Sequence, residues 1–437
     1  MSRLRILLLG AGCHPERVSI PYVTYNHAAA LAQLHEVTLV VGSAVEDAVR
    51  RAKGPFHAIE VIQMQMLERI FEWGCRRIFK NNYNSQALTA FRLPFYLPFE
   101  WLAWRRFRRR IFAGEFDVVL RVMPMSAVIP SPFAFFLRKG PIPFVIGPLQ
   151  AALPFVKGFS QAAREKQNQW SSGLRRLYRF LPFARSTYRD ATAIIAASSQ
   201  AYAEFPKYRD KLFFVPEPGI SRSLCSGDAR RSEPGGRLEL IFVGGLVARK
   251  ACDLALRAAS PLLRTDVARF TIVGDGPDRN LLTQLTKSLG IEKSVSFCGW
   301  VSHAEVLGHL RAADVMVFPS VRENGAGVVF EALASGAVPV VADFGGPGDI
   351  VLPEVGYKVP LTNEADFVAR MENILKELVS NRGLLHRLRQ RGVSYARECL
   401  TWEAKAQSTT QVLNWAVRRG PKPILLPPKR LQLEGAN

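Results

Sequence analysis

The sequence predicts an α/β fold in which two doubly wound, Rossmann-like domains face each other across a cleft. Short runs of β-branched and other apolar residues alternate with helical patterns of ten residues or more, which is typical of parallel sheets. The alternation occurs twice, on either side of a Gly/Pro/Arg-rich segment at residues 225–237. Because ligands of open parallel sheets bind beyond the carboxyl ends of the strands, we expect a site between the domains.

Eleven segments carry the strand pattern. In chain order they are RILLLG, HEVTLVV, DVVLRV, PFVIG, AIIAAS, LFFVPE, LELIFVGG, ARFTIVGDG, SVSFCGW, VMVFPS and VPVVAD. They predict one domain over residues 1–222 and a second domain over residues 223–400. Residues 401–437 are predicted to form an amphipathic helix that returns to the first domain, followed by a disordered basic tail.

The composition is that of a folded intracellular protein. Of 437 residues, 48% are hydrophobic, which suits two or three domains. Six scattered cysteines argue against a disulfide framework or a zinc site and favour a reducing, cytoplasmic compartment. The opening MSRLRILLLGAG is too short for a signal peptide, so it predicts a first strand. The apolar stretch VVLRVMPMSAVIPSPFAFFL contains Arg121 and three prolines, which does not suit a membrane-spanning helix.

Positive charge is concentrated in the first half of the chain. Residues 1–222 hold 31 Lys and Arg against 15 Asp and Glu, a net charge of +16, whereas the remainder carries +5. Such an excess predicts an anionic partner, such as a phosphate, a nucleic acid or an acidic lipid surface.

Residues 91–112, FRLPFYLPFEWLAWRRFRRRIF, interleave aromatic residues with arginines. Two interpretations compete. The helix lies in an anionic membrane interface on the inner face of the membrane, with its aromatic residues inserted, or it packs its apolar stripe on the first sheet. No RNA-binding motif accompanies the segment, so we expect no nucleic-acid partner. The stripe consists of Trp101, Trp104, Phe107 and Ile111, and the arginines are Arg105, Arg106, Arg108, Arg109 and Arg110.

The segment RENGAGVVFEALASG, residues 322–336, places a glutamate on either side of a small-residue loop. The pattern predicts a helix that begins near Gly327 and ends at Gly336, with Glu323 in the preceding loop and Glu331 one turn inside. The N-terminus of a helix favours an anion, and carboxylates accept hydrogen bonds from sugar hydroxyls. Together they indicate a nucleotide sugar; the competing interpretation is a pair of surface acids at a helix start.

Two further turns join a strand to a helix through glycines. In LIFVGGLVARK, Arg249 and Lys250 are predicted to open a helix after the strand, where they suit a diphosphate or a solvated helix end. In FTIVGDGPDRN, Asp275 and Gly276 form a turn near a nucleotide base or a turn with no ligand. For Asp275 we favour the turn without a ligand.

These three elements, in this order, resemble the retaining nucleotide-sugar glycosyltransferases of family 4, which have the GT-B fold. The resemblance covers nearly all of residues 238–400, in FVGGLVARK, IVGDGPDR, VSFCGWVSHAEV and AADVMVFPSVRENGAGVVFEALASGAVPVVADFGGPGDIV. The two glutamates correspond to that family's E-x7-E element. The GGP at Gly345, Gly346 and Pro347 is similar to that of a subgroup whose acceptors are lipid-linked or polysaccharide.

The resemblance implies a hexosyltransferase-type enzyme that uses a UDP-, GDP- or ADP-sugar and no cofactor. Lys250 would contact the donor diphosphate, helped by Arg249, Glu331 would bind the ribose and Glu323 the transferred sugar; Glu323 and Lys250 are the implied catalytic residues. The rest of the implied donor-binding set is Gly12, Gly244, Gly245, Gly276, Asn324, Gly325, Ala326 and Gly327. No paired aspartates of the D-x-D kind mark a metal site in the sequence, so we expect no essential metal.

The resemblance has gaps. Gly245 stands where the family often has arginine, and no histidine occurs between His57 and His303 to play the part of the family's first-domain histidine. On the acceptor side, the resemblance makes His14, Arg17 and Gln150 candidate contacts for a glycan or lipid-linked acceptor of cell-surface polysaccharide synthesis. The alternative function is a non-catalytic membrane- or nucleic-acid-binding protein that keeps the fold. A phosphorylase or epimerase is a third possibility, but no pyridoxal-binding lysine supports a phosphorylase.

Overall fold

The chain divides into two compact units. The structure, a computed structural model, describes residues 3–66, 69–70, 73, 77, 93–154, 156–160, 181–225, 236–418 and 420–425. Of these, the first unit contains the residues between 3 and 152, residues 181–217 and residues 402–425. The second unit contains residues 153–154, 156–160, 218–225 and 236–401. The main division thus falls after Glu217 rather than at the predicted residue 222, and the short segment that follows residue 152 joins the second unit.

Each unit is built on one parallel sheet. The strands are β1 (Arg5–Gly10), β2 (Glu36–Gly42), β3 (Ala58–Ile62), β4 (Val118–Met123), β5 (Phe144–Leu149), β6 (Ala193–Ala196), β7 (Leu212–Phe214), β8 (Leu238–Val243), β9 (Ala268–Val273), β10 (Val295–Gly299), β11 (Val315–Phe318), β12 (Val338–Ala342) and β13 (Tyr357–Val359). The first sheet has the order β3-β2-β1-β4-β5-β6-β7 and the second has the order β10-β9-β8-β11-β12-β13. Every recorded pairing between these strands is parallel. The predicted class, an α/β fold with two doubly wound sheets, is therefore confirmed.

Helices connect the strands. Those in the described residues are α1 (Ile20–Leu34), α2 (Glu46–Arg51), α3 (Leu93–Phe112), α4 (Pro132–Leu137), α5 (Ala184–Asp190), α6 (Ser199–Ala203), α7 (Cys252–Arg264), α8 (Arg279–Leu289), α9 (His303–Ala312), α10 (Gly327–Ser335), α11 (Gly345–Ile350), α12 (Glu364–Ser380), α13 (Arg382–Cys399) and α14 (Trp402–Arg418). No helix in these parts of the chain is long and apolar enough to cross a membrane.

All eleven predicted strands are present, and the prediction missed β3 and β13. Both lie at the edge of their sheets. The central strands are buried along nearly their whole length, which produces the continuous apolar runs that the sequence displays. Most of β3 is only half-buried, and β13 has three residues. An edge strand is covered on fewer sides, so it leaves a weaker apolar pattern.

The apolar stripe of α3 packs into the first unit. Phe107 and Ile111 are fully buried, and Trp104 packs edge-on against Phe133 of α4, with ring centroids 5.6 Å apart. The interpretation in which this stripe inserts into a membrane is therefore wrong for these residues, and the packing interpretation is confirmed for them. Trp101 is the exception, with 48% of its surface exposed.

The arginines of α3 divide into two sets. Arg106 and Arg110 bond Glu60 of β3, at 2.6 and 3.0 Å, and so hold the helix beside the edge strand. Arg105, Arg108 and Arg109 are exposed. The predicted charged face is thus present. The buried residues of the stripe, however, are not available to lipid.

The helix α14 completes the core of the first unit. Trp402, Ala406 and Leu413 are buried in the same cluster as the residues of β1 and β2. Beside them, His27 of α1 bonds Thr409, and His35 bonds Thr410, at 3.0 and 2.8 Å. The predicted basic tail lies largely outside the described residues.

Candidate functional site

Most of the predicted donor-binding residues lie in loops at the carboxyl ends of β8 and β11. After β8, a short 3-10 turn holds Arg249 and Lys250, and α7 begins only after Ala251, whose φ of 51° is left-handed. These two residues therefore precede the helix, and the prediction that they open it is wrong. The backbone carbonyl of Arg249 accepts hydrogen bonds from the N–H of Val321 and the hydroxyl of Ser320, at 2.9 and 3.2 Å. This contact ties the turn to the loop that follows β11.

Lys250 and Glu323 form a salt bridge, in which the ammonium group donates to Oε2 of the carboxylate. Only 13% of the lysine side chain and 19% of the glutamate side chain are exposed. The ammonium also lies 4.7 Å from the centroid of the Phe318 ring, a cation–π distance. Because a charge held away from water needs a partner, each side chain stabilises the other. The structure thus brings together the two residues predicted to be catalytic.

The helix α10 has the bounds that its sequence predicts. Gly336 ends it in the left-handed conformation and donates to the carbonyls of Ala332 and Leu333. At its start, Ala326 has a φ of 56° and makes no side-chain capping bond. A residue with a Cβ in this conformation costs roughly 1–2 kcal/mol, so the loop geometry is enforced by its surroundings. The first N–H groups of α10 receive no cap from Ala326 and present the positive end of the helix dipole.

Two glycines of α11 press against the loop that contains Glu323. A Cβ on Gly345 would lie 2.0 Å from the carbonyl oxygen of Glu323, and one on Gly346 would lie 2.1 Å from that of Asn324. The N–H of Gly346 also donates to the carbonyl of Glu323, at 3.1 Å. A larger residue at either position displaces the loop, so the glycines of the GGP motif help to place Glu323.

Glu331 lies one turn inside α10 and is held by a histidine. Its Oε1 lies 2.9 Å from Nε2 of His303, with 20% of the glutamate side chain and 60% of the histidine side chain exposed. The hydrogen bond to Glu331 raises the pKa of His303, partial burial opposes this, and the charge of Glu331 adds to the increase. No role was predicted for His303 from the sequence. The sequence did contain a signal for its position. Ser302 and Glu305 form an S-x-x-E capping box, which fixes the start of α9, and with it His303, directly after β10.

Asp275 and Gly276 form a turn that packs on the loop after β8. Asp275 accepts hydrogen bonds from the N–H of Gly276, at 2.7 Å, and from Arg279, at 3.3 Å. A Cβ on Gly276 would lie 2.5 Å from the carbonyl oxygen of Leu246, so a glycine is required there. These contacts agree with the structural interpretation of Asp275. The neighbouring glycines, Gly244 and Gly245, directly follow β8.

The acceptor-side candidates lie at the carboxyl edge of the first sheet. His14 and Arg17 are in the loop between β1 and α1, which also contains Gly12 of the predicted donor-binding set. His14 is buried, and its Nδ1 accepts hydrogen bonds from the N–H groups of Glu16 and Arg17, both at 3.1 Å, so this nitrogen shapes its own loop. Burial is the main cause that lowers the pKa of His14.

Gln150 follows β5 and donates to Glu217, at 2.5 Å. Glu217 is buried, and Lys405 of α14 donates to the backbone carbonyl groups of Pro216 and Glu217. Burial lowers the pKa of Lys405 to about 7, against the opposing charge of Glu217. Neither Glu217 nor Lys405 was predicted from the sequence to lie beside Gln150. Contact of an acceptor with Gln150, His14 or Arg17 stays a prediction.

No metal-binding cluster is formed by the described residues, in the sense that no three His, Cys, Asp or Glu side chains among them are arranged to hold an ion.

The fold is that of solved glycosyltransferases. Anabaena Alr3699/HepE, solved in complex with UDP, superposes with a TM-score of 0.63 at 15% identity, over 94% of this chain and all of that one. At this identity the likeness concerns the fold alone, and it confirms the predicted GT-B class.

The sequence is also similar to a glycosyltransferase family model and to curated enzymes. Residues 228–397 match the family model Glycosyl transferases group 1. D-inositol 3-phosphate glycosyltransferase of Kineococcus radiotolerans is 28% identical over 53% of this chain and 55% of its own length. Glycogen synthase of Mycobacterium tuberculosis is 30% identical over 47% and 50%. The chain thus spans about half the length of the curated relatives it matches, and the matched family segment contains Lys250, Glu323 and Glu331.

Proposed function

We propose that the protein is a retaining glycosyltransferase of family 4, which moves a sugar from a nucleotide-diphospho-sugar to a glycan or lipid-linked acceptor in cell-surface polysaccharide synthesis. The observation that carries the proposal is the arrangement around the start of α10. A lysine–glutamate pair, Lys250 and Glu323, lies at the carboxyl ends of β8 and β11, and Glu331 lies one turn inside the helix. The chemistry matches a ligand with an anionic centre and hydroxyl groups.

The diphosphate of a donor would be held by the N–H groups at the start of α10 and by Lys250. Both provide positive charge without a metal ion. As the bond from the sugar to the diphosphate breaks, negative charge grows on the leaving group. Lys250 and the helix dipole would stabilise that charge more strongly in the transition state than in the bound donor.

The two carboxylates would hold the hydroxyl groups on either side of the diphosphate. Glu331 would accept hydrogen bonds from the ribose hydroxyls, and Glu323 from the hydroxyls of the transferred sugar. The backbone N–H groups of Ala326 and Gly327 would donate to the same sugar. Lys250 forms a salt bridge with Glu323. A bound diphosphate would share Lys250 with that glutamate, so the lysine would link the sugar-binding group to the leaving group.

The chemistry of the acceptor is inferred from the charge of the chain and from its relatives. The net charge of +16 in residues 1–222 favours an acceptor or a surface that carries negative charge. Among the relatives, one is named for a phosphorylated inositol and another for glycogen. An anionic or lipid-linked glycan suits these observations, with Gln150, His14 and Arg17 as the candidate contacts.

Titration calorimetry with UDP, GDP and ADP tests the nucleotide site and selects the base. A panel of radiolabelled donors with the selected base then tests transfer, and proton NMR of the product gives the anomeric configuration. We expect one nucleotide to bind at micromolar concentration, slow release of its sugar, and retention of configuration. If no nucleotide binds and no sugar is released, the chain is instead a non-catalytic binding protein that has kept the fold, and its binding to lipid vesicles becomes the relevant assay.

A further inference from the structure

Glu331, the proposed ribose-binding carboxylate, has a partner within its own unit. Its Oε1 lies 2.9 Å from Nε2 of His303, and the glutamate side chain is four-fifths covered. We propose that His303 is a positioning residue for Glu331, and that its protonation strengthens nucleotide binding. The inference rests on the proposed function, because it assigns a role to a residue beside the donor site.

The hydrogen bond fixes a side chain that would otherwise rotate. A glutamate has three torsions between its backbone and its carboxylate, and ordering them opposes binding. An ionised carboxylate has about four acceptor positions on its two oxygens. His303 uses one position on Oε1, which leaves enough for the two hydroxyls of a ribose. The histidine therefore orients the carboxylate without competing for all of its acceptor capacity.

The imidazole is itself presented by a rigid support. His303 is the first residue of α9, and the capping box fixes that helix start: the hydroxyl of Ser302 accepts from the N–H of Glu305, at 3.3 Å, while Glu305 accepts from the N–H of Ser302, at 2.8 Å. The helix α9 packs against α10, which carries Glu331. Two packed helices thus set the distance between histidine and glutamate.

The charges around His303 favour its protonated form. On α10, the single ionisable residue is Glu331; on β8, which α9 also contacts, Glu239 lies at the amino end of the strand, away from the start of α9. On α9 itself, Glu305 is engaged in the capping box, and His309 and Arg311 lie in the last turn. The pKa of His303 is accordingly raised, chiefly by its hydrogen bond to Glu331.

Protonation links this contact to pH. Below its raised pKa, His303 makes a charge-assisted hydrogen bond to Glu331 and adds a positive charge near the nucleotide, and such bonds are roughly twice as strong as neutral ones. As pH rises through that pKa, the charge is lost and the orientation of Glu331 weakens. Nucleotide affinity should therefore fall as the pH rises, beyond any change that comes from the phosphate groups.

The test uses calorimetry on the intact protein with UDP, GDP and ADP at pH 6, 7, 8 and 9, comparing wild type with His303→Gln and His303→Ala. The glutamine keeps a neutral N–H donor at about the same reach, and all three proteins experience the same titration of the nucleotide phosphate. We expect wild type to lose about fivefold more affinity than His303→Gln between pH 6 and pH 9, a coupling of ordinary size. His303→Ala should bind about fivefold more weakly than wild type at pH 6, and His303→Gln should lie between the two.

A double-mutant cycle then separates the contact from a general loss of stability. In a Glu331→Gln background, His303→Ala should change affinity little, because the charged partner is already absent. Parallel pH profiles for wild type and His303→Ala, or an equal effect of His303→Ala in both backgrounds, overturn the role of His303 and leave the proposed function standing. If wild type binds none of the three nucleotides at any pH, the proposed function falls, and this inference falls with it.

Discussion

At the scale of single residues, the candidate site is built from paired ionisable side chains. Lys250 pairs with Glu323, and His303 pairs with Glu331. Each pair joins two elements: the turn after β8 to the loop after β11, and the start of α9 to α10. Lys250, Glu323 and Glu331 are largely covered, so the positions of these side chains are set by the pairs as much as by the backbone. Removing one partner therefore affects the other.

Replacing Lys250 by alanine should lower turnover about 10²- to 10³-fold, the cost of losing one group that stabilises transition-state charge. Donor affinity should fall less, because the charge on the leaving diphosphate grows during the reaction. Steady-state release of nucleotide diphosphate measures both effects. The matched control is Lys287→Ala, which removes an exposed lysine of α8 in the same unit. If the two variants turn over equally fast, Lys250 has no part in the chemistry.

Replacing Glu331 by alanine should weaken nucleotide binding at least tenfold, because hydrogen bonds to a charged group contribute about 1.5–3 kcal/mol each. Calorimetry with the nucleotide that wild type binds measures the loss. The control lies in the ligand: the same nucleotide without its 2′- and 3′-hydroxyls should bind the wild type and Glu331→Ala equally. A difference that persists with the dideoxy nucleotide would show that Glu331 acts elsewhere than on the ribose.

At the scale of elements, α3 illustrates how one helix serves two purposes. Its buried side carries Phe99, Trp104, Phe107 and Ile111, which pack into the first unit. Residues 101, 105, 108 and 112 recur at helical spacing and share the opposite, exposed side. This side presents two arginines between the exposed residues Trp101 and Phe112. Such a face suits the headgroup region of an acidic membrane, and we propose peripheral docking there.

Replacing Arg105, Arg108 and Arg109 together by glutamine should release the protein from vesicles of acidic phospholipid at physiological salt. Each arginine near the surface contributes about 1 kcal/mol, so the partition constant should fall on the order of a hundredfold. Sedimentation with vesicles measures it. Arg106 and Arg110 are left in place, because their bonds to Glu60 support the fold.

The control for the α3 variant is a triple replacement of exposed arginines in the second unit, Arg311, Arg387 and Arg391, which changes the net charge by the same amount. If this control releases the protein equally, the attraction is one of net charge alone. If neither variant changes sedimentation, α3 does not dock on lipid. If the wild type binds neutral vesicles as strongly as acidic ones, docking depends on Trp101 and Phe112 rather than on charge.

At the scale of the whole molecule, the pKa values of four histidines are shifted, and the direction of the shift differs between the two units. In the first unit, burial lowers the pKa values of His14, His27 and His35. In the second, the bond to Glu331 raises that of His303. Where the folded pKa is lowered, the unfolded chain binds more protons, so stability falls as pH decreases below the unfolded value of about 6.5. For His303, whose folded pKa is raised, the contribution to stability is instead lost as pH rises.

Mild acid should therefore weaken the first unit more than the second. Between pH 7.5 and pH 5.5, each fully buried histidine contributes a slope that approaches about 1.4 kcal/mol per pH unit. Amide hydrogen exchange, followed separately in β1 and β2 and in β11 and β12, measures the stability of each unit. The variant His27→Gln should flatten the pH dependence of the first unit, since the ring of His27 is fully buried and its Nδ1 has no hydrogen-bond partner among the described residues. An unchanged slope in this variant would contradict the assignment.

The sequence by itself determined the fold class, the central strands of both sheets and the bounds of α10. These features depend on local patterns: a strand buried on both faces must be apolar along its length, and a helix that ends in a left-handed residue favours glycine. The positions of Glu323 before α10 and of Glu331 one turn inside it follow from those bounds. The resemblance carried by the same residues supplied the rest of the site hypothesis.

Only the tertiary structure decided which side of α3 is covered, that Lys250 meets Glu323, and that His303 holds Glu331. It also revealed the edge strands β3 and β13, and the 3-10 turn that keeps Arg249 and Lys250 outside α7. The reason is physical. These features depend on which surfaces meet between segments far apart in the chain, and the pattern within one segment records that it is buried but not what buries it.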